Sequence, residues 1–136
     1  MTRATSVYAR IRNETASKER LMVLLFETAV RHMRLASAAY DKRDQRTAES
    51  SLSRASAIVT ELLSTLDKQR APHLYDNLSS VYLFVASRLI KARLARSSLL
   101  VREAERAFAP IADAFAQALR QLESGSPVAQ AAGVAR

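Results

Sequence analysis

Thr47-Ala48-Glu49-Ser50-Ser51-Leu52-Ser53-Arg54-Ala55-Ser56-Ala57-Ile58-Val59-Thr60-Glu61-Leu62-Leu63-Ser64-Thr65-Leu66 is the stretch that decides the fold. Its apolar residues Ala48, Leu52, Ala55, Val59, Leu62 and Leu66 recur in steps of four and three. At about 100° per residue, that spacing draws a single stripe along an α-helix, close to a heptad seam. Such a seam packs lengthwise against antiparallel neighbours. Ile58 and Leu63 widen the stripe.

The same period continues on both sides. Upstream, the polar turn Asp41-Lys42-Arg43-Asp44-Gln45-Arg46 offers Asp44 or Thr47 as an N-cap. Before it, a helix is expected from about residue 18 to about 41, capped by Ser17. Its inner stripe reads Leu21, Leu25, Ala29, His32 or Met33, Ala36 and Tyr40. Residues 1–14 read as a polar lead-in, with Tyr8 and Ile11 one helical turn apart. Downstream, Asp67-Lys68-Gln69-Arg70-Ala71 is a turn and Pro72 suits a first helical position. The third helix runs to about Arg96 with the stripe Leu74, Leu78, Val81, Val85, Leu89 and Ala92. Ser97-Ser98 then caps a fourth helix, whose stripe is Leu100, Ala104, Ala107 or Phe108, Ile111, Phe115, Ala118 and Leu122. Pro110 falls inside it and should kink or divide it. Residues 124–136 are small and polar without a period, and are expected to be disordered.

Four helices on short loops give an all-α, antiparallel up-down-up-down four-helix bundle over residues 15–123. Composition agrees, with 136 residues, 49% hydrophobic and only two Gly and three Pro. There is no cysteine, which excludes disulfides and thiolate ligands. No apolar run approaches the roughly 18 residues of a membrane span, so membrane insertion is not expected. The N-terminus lacks a secretory h-region, which places the protein in the cytosol as an expectation.

The sequence carries no enzyme constellation. His32 and His73 stand on different helices without a carboxylate–His pattern, so no metal or cofactor is expected. Glu103 and Glu105 point apart on a helix and make no acid–base pair. Two glycines cannot build a phosphate-cradling loop. The formal charge of +8 leaves nucleic acid open as a partner, and an acidic protein as well. The bundle topology gathers Lys42, Arg43, Arg46, Arg93, Arg96 and Arg102 at one pole, against Asp41, Asp44 and Glu103. That basic pole reads either as a solvated end or as a contact surface.

Two six-residue runs are too apolar for one stripe. Leu21-Met22-Val23-Leu24-Leu25-Phe26 and Val81-Tyr82-Leu83-Phe84-Val85-Ala86 cover every face of their helices. On the first, Val23 reads as the outward residue; on the second, Leu83 and Phe84 do. The surplus is either a seam between two copies or a groove for a segment of another protein.

With these runs the chain resembles a known family, the flagellin-specific export chaperones or FliS family. The resemblance spans about Tyr8 to Phe115. It is carried by the lone Tyr8, by Thr15-Ala16-Ser17 leading into Leu21-Met22-x-Leu24-Leu25-Phe26-Glu27, by Ala55-x-x-Ile58-Val59-x-Glu61-Leu62 with Leu66-Asp67, and by Asn77-Leu78-x-x-Val81-Tyr82. The chain departs from the family pattern at Lys18, in the glycine-free turn before Pro72, at Phe115 and in its positive charge. The resemblance implies a bundle that binds the disordered C-terminal segment of flagellin, prevents premature polymerisation and aids delivery to the export gate. It also implies that residues 1–14, through Tyr8 and Ile11, cover part of the apolar surface. The client groove is then expected at Ile58, Leu62, Leu78, Tyr82, Val85 and Leu89, with Asn77 as a polar positioning residue. A homodimer and a basic nucleic-acid-binding bundle remain the alternatives.

Overall fold

A computed structural model describes residues 3–69 and 71–125, without the side chains at 8, 11, 12, 15 and 16. They form α1 (Arg3–Asp41), α2 (Gln45–Ser64), α3 (Pro72–Ala95) and α4 (Ser98–Ser124). α1 packs on α2 and α4, and α3 packs on the same two, so every helix lies beside its neighbours in the chain. This is the expected up-down-up-down four-helix bundle. The α2–α3 seam is the thinnest of the four.

Local chemistry sets the helix ends. The Asp44 side chain accepts a hydrogen bond from the Thr47 N–H at 3.2 Å and caps α2. Ser97 does the same for α4, accepting from the Leu100 N–H at 3.1 Å. Pro72 opens α3 after Ala71, which supplies no side-chain cap. Both α1 and α3 end in a Schellman pattern. The Asp44 N–H reaches the Ala39 carbonyl at 2.8 Å, and the Ser97 N–H reaches that of Ala92 at 3.0 Å. The left-handed residue each pattern requires is an arginine, Arg43 at φ 60° and Arg96 at φ 50°.

α1 differs from expectation in length. It is one helix from Arg3, where a separate lead-in and a start near residue 18 were expected. Nothing in residues 3–41 breaks a helix, since neither Gly nor Pro occurs before Pro72. Ser17 is therefore an interior residue and not a cap. Arg20 pairs with Glu123, one residue from the end of α4. Because the two helices are antiparallel, the first turns of α1 run past the end of α4, by about 25 Å. No described side chain from Arg3 to Lys18 is buried. The side chains of Tyr8 and Ile11, the expected cover, lie outside the described residues. So do residues 126–136 of the expected disordered tail.

The buried face of α1 is also rotated from the expected stripe. Val23 is 7% exposed and Leu21 57%, the reverse of the expectation. The buried line is Val23, Phe26, Val30, Met33, Ser37 and Tyr40, in steps of three and four. Phe26 sets this phase. Its ring stacks on Phe115 at 4.8 Å and meets Phe108 at 5.4 Å and Tyr82 at 6.3 Å. One ring thus joins α1, α3 and α4, and that tie outweighs the choice between Leu21 and Val23. On α2 the stripe from Ala48 to Leu62 is buried as expected. α4 buries Val101, Ala104, Phe108 and Ala112 and continues unbroken through Pro110, which faces solvent. Glu103 and Glu105 do point apart. Glu103 pairs with Arg88 of α3 at 3.1 Å, and Glu105 pairs with Arg34 of α1 at 2.8 Å.

Candidate functional site: an apolar cleft at the α2–α3 end

Where α2 ends and α3 begins, the bundle opens. The α2–α3 connection spreads the thinnest seam, and the inner stripes there face a cleft of about 370 Å³ instead of one another. Every helix contributes to it. Met22 comes from α1, Leu62 from α2, Leu74, Leu78 and Tyr82 from α3, and Phe115 from α4, with Leu66 from the connecting turn. Thr65, Asp67 and Tyr75 supply polar atoms at its rim.

Tyr82 forms the floor. It is 2% exposed, and burial pushes its phenol up to about 12. The floor therefore stays neutral at any physiological pH and contributes apolar surface and ring packing, with Phe108 at 6.1 Å. Leu74 hangs exposed over the opening, although it belongs to the inner stripe of α3. An inner-stripe residue becomes surface here because the opposing helix has already ended.

The expected groove residues separate into three groups. Leu62, Leu78 and Tyr82 meet in the cleft. Val85 and Leu89 lie further along α3, fully inside the core, and present no surface. Ile58 is half-buried against the core outside the cleft. Asn77 is exposed in the second turn of α3, too far in to cap a helix that Pro72 begins. Sequence reasoning left out Met22, Leu66, Leu74, Tyr75 and Phe115 as cleft residues. Four of these were legible as apolar and helical; only their position at the open end was not.

Of the outer residues on the second run, Phe84 has a cover from its own chain. The Arg88 guanidinium sits 4.7 Å above its ring. Leu83 has none. Among the described residues, no group of three or more His, Asp or Glu side chains is placed to hold a metal ion. No described helix is long and apolar enough to cross a membrane.

The cleft offers apolar walls and a rim of hydroxyl and carboxylate groups. Comparison with known proteins gives the family. Residues 1–122 match the family described as flagellar protein FliS. The flagellar secretion chaperone FliS of Escherichia coli (strain K12) is 30% identical over 122 residues, covering 86% of this chain and 90% of that protein. The chain belongs to the FliS family of flagellar proteins.

Proposed function

We propose that this protein is a cytosolic export chaperone that binds the disordered C-terminal segment of flagellin, keeps it from polymerising early and delivers it to the flagellar export apparatus. The related Escherichia coli protein carries the name of a flagellar secretion chaperone. The observation that carries the reading is the cleft between the ends of α2 and α3, with Leu74 and Leu78 on its wall and Tyr82 as its floor. A client that enters as a disordered chain must offset its ordering entropy. Burial of two or three large apolar side chains supplies about 1.5–3 kcal/mol each. Thr65, Asp67 and Tyr75 add polar atoms at the rim, which suits an extended or newly helical segment.

The test has to avoid the core. Tyr82→Ala and Leu62→Glu both strike residues no more than 2% exposed, and loss of binding there is indistinguishable from loss of the bundle. Leu74 is exposed, so Leu74→Glu keeps the fold and places a carboxylate across the opening. A flagellin C-terminal peptide titrated into this variant is expected to bind about tenfold or more weakly, with an unchanged helical circular dichroism spectrum. Unchanged affinity overturns the cleft as the client site. A complex built on apolar burial also survives high salt, which separates it from a nucleic-acid complex.

A further inference from the structure

The opposite pole, where α1 meets α2 and α3 meets α4, has its own unassigned surface. From Asn77 to Arg96, α3 holds no Asp or Glu, but it holds Arg88, Lys91, Arg93 and Arg96. The carboxylates nearest this pole are engaged. Asp41 pairs with Arg102 at 3.2 Å, Asp44 caps α2, and Glu103 holds Arg88 at 3.1 Å. Glu49 stands near the buried Tyr40 in the first turns of α2. Among the described residues, Lys42, Arg43, Arg46, Lys91, Arg93 and Arg96 form no ion pair.

An apolar stripe runs into this pole. Leu83, Ile90 and Leu94 are spaced i, i+7, i+11 on α3 and lie within about 40° of one another around the helix. Ile90 is 62% and Leu94 82% exposed. Lys91 and Arg93 fall on either flank of the stripe. An arginine ends each of the two helices, α1 and α3, whose last turns lie at this pole. Arg43 and Arg96 occupy left-handed positions that glycine fills without steric cost. Arg96 thereby adds a third cation, after Lys91 and Arg93, where the stripe meets the pole.

We propose that the Leu83–Ile90–Leu94 stripe and the cationic pole beside it form a docking surface for an acidic amphipathic helix of a second protein, separate from the client cleft. The stripe is one side chain wide with charge on both sides, which fits the ridge of a helix and not the plane of a membrane. Two copies joined through this face would set Lys91, Arg93 and Arg96 against their own copies, so a self-complementary dimer is disfavoured. Residues 126–136 contain no Asp or Glu and follow the opposite end of the bundle, so that segment lacks the matching charge.

The probe is a fluorescein-labelled helical peptide of leucine and glutamate, with leucines at i, i+3 and i+7 and glutamates on both flanks. Its lysine counterpart, an acidic oligonucleotide and phosphatidylglycerol vesicles complete the set. The full chain is expected to bind the glutamate peptide, with affinity falling about tenfold between about 50 and 300 mM salt. Leu94→Glu is expected to weaken it about tenfold. Arg96→Gly is expected to weaken it several-fold while leaving the thermal midpoint equal or higher, because the left-handed turn is relieved. Leu74→Glu, at the other pole, leaves it unchanged. Equal binding of the lysine peptide overturns the proposal. So does an unaffected Leu94→Glu variant, a preference for the oligonucleotide or vesicles over the peptide, or a light-scattering dimer that Leu94→Glu dissociates.

Discussion

His32 shows how one side chain sets a pH response in a bundle without chemistry. It is buried on α1 and its Nδ1 has no hydrogen-bond partner among the described residues. Burial, then the nearby Arg54 and Arg31, hold its pKa below the ordinary 6.5. The folded protein thus keeps His32 neutral while the unfolded chain begins to protonate near that value. The unfolded state binds more protons, so stability falls as pH drops below 6.5 and is constant above it. The thermal midpoint is expected to fall between about pH 7.5 and 5.5, before most carboxylates titrate, and His32→Gln is expected to flatten that slope. A slope identical in the variant assigns the effect elsewhere.

At the scale of the element, α4 poses the clearest energetic question. Pro110 lies in its interior, removes one backbone hydrogen bond and crowds the preceding turn, yet the helix runs from Ser98 to Ser124 as a unit. Flanking burial holds it, with Phe108 and Ala112 in the core on either side. Because Pro110 faces solvent, Pro110→Ala is expected to restore the missing bond at no packing cost. A gain of about 1–2 kcal/mol in urea unfolding follows, after allowing for the greater freedom of the unfolded chain. The number and order of helices were legible because stripes and polar turns alternate so regularly. The phase of α1 was not. Leu21 and Val23 lie two positions apart within a run that is apolar on every face, and the sequence offers no contrast between them. The deciding contact is between Phe26 and rings some 56 to 89 residues further along, at Tyr82, Phe108 and Phe115. Helical periodicity is a local signal and holds no information about that distance.

At the scale of the whole molecule, the two poles are chemically opposite. One is an apolar cleft, and the other a cationic cap fringed by Leu94 and Leu99. The cationic pole was legible, because it follows from topology and charge alone. The cleft was legible only in part. Leu62, Leu78 and Tyr82 come together in it, but Val85 and Leu89 continue the same stripe into the core. A stripe has no marker for the point at which the opposing helix stops, and that point separates surface from interior.

The overhang of α1 divides one continuous helix into two thermodynamic regimes. From about Arg20 onward, opening the helix means opening the core. Before it, no described side chain up to Lys18 is buried, and an isolated segment of that length is marginal in water. The amides of the first four turns are expected to exchange with solvent orders of magnitude faster than those around Phe26, with no loss of the bundle. Equal protection at both ends would require a partner on the overhang. Such fast exchange would make the free energy of rearranging this end nearly independent of the stability of the rest, so the N-terminal turns could be ordered, unwound or recruited without the bundle registering the change.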